Sequence, residues 1–151
     1  MARLLGALWV LPVAVPMWLF YLLPLWALRK IWFSGRASPW VLRFAVTDYG
    51  GWYARRWASW SGFAMPFAIL VSVGATASTE RHELRHTDQW FALGVLFPVV
   101  YVLLLTIGGY HGNPLEVDAR HWALSSMVPR RGSVSTLATA APISMGRDEW
   151  D

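Results

Sequence analysis

The residues His82-Glu83-Leu84-Arg85-His86 set two imidazoles four positions apart, with a carboxylate directly after the first. On a helix, residues i and i+4 share one face, so both rings can bind a single zinc ion. Glu83 stands beside them as the base that would take a proton from a water on that ion. The chain has no cysteine, which excludes disulfides, thiolate ligands and thiol catalysis and leaves any metal site to His, Asp and Glu. The competing reading is a solvated helix whose His and Glu make ordinary surface pairs. Against it, only four histidines occur in the chain and two of them fall at the ligand spacing. Tyr110, His111 and His121 are further candidates to orient a ligand or stabilise an oxyanion, each with a purely structural role as the alternative. Asp118 and Arg120 read as solvated helix charges.

Several elements must position these groups. Glu80, Arg81, His82, Glu83, Arg85, His86 and Asp88 crowd into one short stretch, which is expensive in hydrocarbon and belongs in a solvated cleft. Ser78 or Thr79 is the expected N-cap of that helix, with Glu80 in its first turn. Phe91 to Tyr110 is apolar, is interrupted at Gly94 and Pro98, and closes on the turn signal Gly108-Gly109. Asn113 and Pro114 then open a short helix as N-cap and first helical residue. Upstream, Phe63 to Val73 reads as one buried strand in preference to a second membrane span.

Composition sets the wider frame. Of 151 residues, 56% are hydrophobic and 15% charged, and eleven are tryptophan, so the apolar side chains exceed what one small core hides. Leu4 to Leu28 carries no charge and is long enough to serve as a transmembrane anchor, with Pro12, Pro16 and Pro24 permitting kinks or a helical hairpin. Arg3 alone precedes it, whereas Arg29, Lys30, Arg36, Arg43, Arg55 and Arg56 follow, a bias that puts the bulk of the chain in the cytoplasm. Phe33 to Gly62, with Trp52, Arg55, Arg56, Trp57 and Trp60, suits a membrane interface better than a single-stranded nucleic acid. No nucleic-acid partner is expected. The division is residues 1–32 as anchor, 33–127 as the functional domain and 128–151 as a flexible tail.

On its HExxH motif the chain resembles the zincin metallopeptidases. A metzincin would need Gly and His where Gln89 and Ala92 stand. Site-2-type intramembrane proteases add a later Asp, for which Asp118 is available, but their motif lies in an apolar helix. HELRHTDQ, an apolar helix and NPLE together are similar to a minimal gluzincin of HExxHxxQ type, seen in small bacterial and phage proteins, over about residues 60 to 122. That resemblance implies Glu116 as the third ligand, whereas the local pattern Asn-Pro-x-Glu equally fits a capping box in which Glu116 only bonds backbone. If Phe91 to Tyr110 crossed a bilayer, Glu116 would emerge about 30 Å from the histidines, so catalysis requires that segment to fold back.

The expected fold is mainly α with a small β element (α+β), an N-terminal anchor leading into a minimal zincin-like helical core. The expected function is a membrane-anchored, Zn(2+)-dependent hydrolase of peptides or proteins, at a bacterial inner membrane or a phage-infected host membrane, with the lipid bilayer as its standing partner. The alternative is a noncatalytic membrane or envelope-associated scaffold, phage-encoded in one version.

Overall fold

The uncharged N-terminal run forms one helical rod, made of α1 (Ala2–Met17), a π-helical turn (Trp18–Leu22) and α2 (Leu23–Ala27). The computed structural model describes residues 2–47 and 61–125. The Trp/Arg cluster from Trp52 to Trp60 and the tail at 128–151 lie outside the described residues. Pro12 and Pro16 stand inside α1 and a proline opens α2. Each removes a backbone donor, and the wider π turn accommodates the mismatch without reversing the chain. The helical hairpin considered from these prolines does not form.

Four strands follow: β1 (Ile31–Ser38), β2 (Val41–Val46), β3 (Gly62–Met65) and β4 (Ala68–Ser72), in the sheet order β1-β2-β4-β3. β1 pairs antiparallel with β2, β2 parallel with β4, and β3 antiparallel with β4. Two expectations need correction here. Phe63 to Val73 is a tight hairpin and not one strand, because Pro66 cannot donate and Phe67 takes a positive φ of 64°. The first part of the Phe33 to Gly62 segment, in which no strand was expected, is the β1–β2 hairpin, whose alternation is masked by Ser34, Gly35 and Arg36 and by two register shifts.

β4 is buried throughout from Ala68 to Val71. Its alternation explains this, since Ala68 and Leu70 pack on Leu22 and Leu25 of the rod while Ile69 and Val71 face Leu84 and Phe91 beyond the sheet. Leu84 and Phe91 belong to α3 (Ala77–Leu93), so the layers are rod, sheet and α3. The cap of α3 is Thr76, which accepts from the Thr79 amide at 3.3 Å, where Ser78 or Thr79 had been expected. Glu80 does lie in the first turn.

Gly94 ends α3 with φ 57°, and a Cβ there would fall inside the Trp9 indole of α1. The same indole donates to the Leu93 carbonyl at 3.0 Å. A short 3-10 turn (Gly94–Leu96) then redirects the chain into α4 (Phe97–Gly112), and α5 (Pro114–Ser125) follows. α4 has sixteen residues, but its helical dihedrals break at Gly109. Its regular part is therefore about 18 Å long, and the chain folds back as the Gly94 and Gly108-Gly109 signals predict. The α+β class holds. Two helical stretches, Leu4–Ala27 and Ala77–Gly112, are long and apolar enough to cross a membrane by length and composition. The second is bent at Gly94 and carries its ionisable cluster in α3, which confines its apolar part to the segment after the bend.

Candidate metal centre

α3 reaches the site with its polar face fixed at two points. Arg43 of β2 donates to Glu80 at 2.9 Å, and Arg85 forms a two-pronged pair with Asp118 of α5 at 2.7 and 3.2 Å. α5 is fixed by Asn113, fully buried, whose Oδ1 accepts the Leu115 amide at 3.0 Å. These anchors bring His82, His86 and Glu116 together, with one donor atom from each within 4.8 Å of the others. His86 and Glu116 are buried, and His82 is largely covered.

The capping alternative for Glu116 fails on geometry. The Asn113 amide, which a capping glutamate would accept, bonds the Gly109 carbonyl at 3.0 Å. The Glu116 carboxylate instead faces the imidazoles: His82 Nε2 lies 3.2 Å from Oε2 and His86 Nε2 lies 3.2 Å from Oε1. The two Nε2 atoms are 3.1 Å apart. For bonds of about 2.0 to 2.1 Å, the donor atoms of a tetrahedral zinc site lie about 3.3 Å from each other. The His82–His86 spacing is close to that edge length, and each Nε2 stands 3.2 Å from a different carboxylate oxygen. The His82–Glu116 contact leaves Oε2 buried without a hydrogen-bond donor.

Tautomers sharpen the fit. Gln89 donates its amide hydrogens to the Leu115 carbonyl at 3.0 Å and to Asp118 Oδ2 at 2.9 Å, so its Oε1 is left to accept. That oxygen lies 2.7 Å from His86 Nδ1. The proton therefore sits on Nδ1, and Nε2 turns a lone pair toward Glu116 and His82. Tyr101 of α4 donates to Glu116 Oε1 at 2.7 Å and orients the carboxylate. His86 Nε2 and the Glu116 carboxylate thus offer lone pairs beside the His82 ring, and the three residues together could hold a metal ion.

The titration behaviour has the same cause. Burial pushes Glu83 up to about 7, against the pull of the His86 and His82 imidazoles. For Glu116 burial acts upward too, but contacts from His82, His86 and Tyr101 prevail and hold it well below the usual carboxylate range. For His86 burial favours the neutral ring, yet Glu116 and Glu83 raise its pKa above the ordinary value. The Arg85 hydrogen bond lowers Asp118. Glu83 is coupled to all three donor residues but stands outside their group. Its carboxylate lies against β3, where a Cβ on Gly62 would come within 2.6 Å of Glu83 Oε1. The glycine is needed for that close approach.

Of the remaining candidates, Tyr110 is half exposed, feels the charges of Glu116 and Glu83, and has the Arg120 guanidinium 5.8 Å from its ring centre. His111 is exposed and contributes its carbonyl to Arg120 at 2.7 Å. His121 is exposed, and five residues along α5 carry it about 140° around the helix from Glu116. Asp118, expected as a solvated charge, is the hub linking Arg85 to Gln89. Gln89 stood in the HExxHxxQ pattern without a role, and Tyr101 went unassigned in the sequence. The role of Gln89 was findable from its i+3 spacing to His86, and Tyr101 from being a polar-tipped residue inside an apolar run.

Comparison of the chain with protein-family models, with curated protein sequences and with solved structures finds no match to any of them. The functional reading therefore rests on the site's own geometry.

Proposed function

We propose that the chain is a membrane-associated zinc hydrolase acting on peptide bonds, with His82, His86 and Glu116 as ligands and Glu83 as general base. The observation that carries this reading is the cluster of His82, His86 and Glu116, whose two Nε2 atoms lie 3.1 Å apart and 3.2 Å from different oxygens of the Glu116 carboxylate, with a buried, separately held carboxylate beside it. Zinc bound there would polarise a carbonyl and lower the pKa of water in its open position to about 7. Glu83 accepts a proton from the attacking water and returns it to the leaving amine. A carboxyl whose pKa burial has brought near neutrality suits both transfers. Gln89 holds His86 in the ligating tautomer, and Tyr101 holds the Glu116 carboxylate in place. Tyr110, half exposed beside the site, is the group we assign to the developing oxyanion.

Elemental analysis of chelator-free protein tests the site, with one zinc per chain expected in the wild type and none in His86→Ala. Hydrolysis of a quenched fluorescent peptide library tests the reaction, with Glu83→Gln keeping zinc and losing turnover. Zinc in both proteins with turnover in neither would favour the scaffold reading. Equal metal content in wild type and His86→Ala would remove the site altogether.

A further inference from the structure

We infer that the N-terminal rod lies in the plane of a membrane surface, with one face in the acyl chains, and does not cross the bilayer. The inference concerns how the protein meets lipid and is independent of the metal.

The rod has two faces, both apolar, with different surroundings. One is taken up by the protein: Val10, Ala14, Leu22 and Leu25 are buried, the Trp9 indole bonds the Leu93 carbonyl, and the Trp18 indole bonds the Pro66 carbonyl at 2.9 Å. The N-terminal half thus docks on the end of α3 and the C-terminal half on the sheet. The other face is an unbroken stripe that includes Leu8, Val15, Leu19, Leu23 and Trp26, flanked by Phe20 at 82% exposure. No charged residue interrupts it between Leu4 and Leu28. Water is a poor partner for such a stripe, and its length exceeds the scattered apolar exposure of ordinary surfaces.

Crossing is opposed by what the rod is attached to. β1 begins at Ile31, directly after the rod, and the β1–β2 turn returns Trp40 and Val41 to a cleft that they share with Ala7 of α1. The eight-residue strand is about 26 Å long against about 36 Å for Leu4–Ala27, so the hairpin runs beside most of the rod. That hairpin carries Arg36 and the Arg43–Glu80 ion pair. Among the described residues β1 and β3 also pair on one side only, leaving backbone groups open along both edges. A spanning rod would carry these charges and open edges into hydrocarbon, where neither is tolerated without partners. A rod lying flat immerses only the stripe.

The chemistry at the border of the stripe identifies lipid as the occupant over a second copy of the chain. The stripe ends in the exposed Trp26, and Arg29 and Lys30 follow its C-terminal end. Indole rings and cations at the edge of an apolar band suit the headgroup layer, and the net charge of +4 favours anionic lipid.

The chain has no cysteine, so single cysteines report without background. Full-length Arg3→Cys and Arg29→Cys proteins would be reconstituted in sealed vesicles of anionic and zwitterionic phospholipid and treated with a membrane-impermeant maleimide before and after permeabilisation. Both ends should react from the same side. Bimane attached at Phe20→Cys, or at Leu8→Cys should the first variant misfold, should lose fluorescence in vesicles containing brominated acyl chains. Reaction of the two ends from opposite sides would establish a spanning rod and overturn the inference. Absence of quenching at both stripe positions would show protein over the stripe and overturn it equally.

Discussion

Around the paired helices α3 and α5 the molecule buries polar groups, and along α1 and α4 it exposes apolar ones. Glu116 is 2% exposed and Asn113 is fully buried, whereas Ile107 is 76% exposed in the very helix that supplies Tyr101 to the site. Both patterns run against the ordinary partition of side chains, and each is costly in water by itself. On the readings proposed above, each would be relieved by a different partner, the His82/His86/Glu116 cluster by a cation and the uncharged stripe by lipid. α4 serves both regions, with Tyr101 toward the site and Val99, Val102, Leu103 and Ile107 outward.

If this contrast is right, substitutions on the polar side should be severe and those on the apolar side mild. The largest effect is expected from Glu83→Gln, which should lower kcat for peptide hydrolysis about 100- to 10,000-fold at unchanged zinc content, the range of general acid–base contributions. Removing the metal comes next. Chelation should destabilise the fold by about 4 kcal/mol when free zinc had stood a thousandfold above its Kd, seen as a fall in Tm that added zinc reverses. His86→Ala should show no such zinc-dependent shift.

Gln89→Leu tests the tautomer lock. Its zinc affinity should fall about 10- to 100-fold, as for other groups that orient a ligating imidazole, while its metal-free stability changes less than that of a ligand variant. Competition with a chromophoric chelator measures this directly. Unchanged affinity would mean that the Gln89–His86 hydrogen bond has no part in preparing Nε2.

The pH dependence separates metal-free from loaded protein. Glu83 and His86 both hold their protons more tightly folded than unfolded. The native state then binds more protons than the unfolded one, so the metal-free protein should lose stability as pH rises between about 5 and 8. Zinc displaces those protons, and the loaded protein should gain stability over the same interval. Urea titrations at several pH values, with and without chelator, would reveal the opposed slopes. A common slope would sever the link between these protons and the metal.

The smallest effect is expected on the apolar side. Ile107→Gln in detergent should change stability by no more than about 0.5 kcal/mol, because an exposed side chain gives up little packing. A larger loss would show that α4 packs against protein there and would weaken the contrast.

Local sequence was sufficient wherever the cause was local. The i, i+4 histidines, the Asn113 cap with Pro114 behind it, and the breaks at Gly94 and Gly108-Gly109 act within a few residues of backbone, and all were legible. The β1–β2 hairpin was not, since an edge strand with Ser34, Gly35 and Arg36 lacks a clean alternation and owes its place to pairing with β2 and, through it, to β4. The Phe63 to Val73 run was apolar enough to be recognised as β, but its reversal at Pro66-Phe67 depends on one proline and one left-handed residue. Glu116 stood evenly between cap and ligand, because its first-turn position serves both, and the choice depended on where α4 delivered α5. The wiring from Arg85 through Asp118 to Gln89 joins residues 33 and 29 positions apart. Such partners are fixed by the packing of α5 on α3, which no short-range pattern encodes. Composition alone determined that the chain exposes more apolar surface than a small soluble core can hide, because that follows from counting side chains. Which face of the N-terminal helix stays uncovered was decided only by tertiary structure, since both faces are apolar and the sheet and α3 can occupy just one.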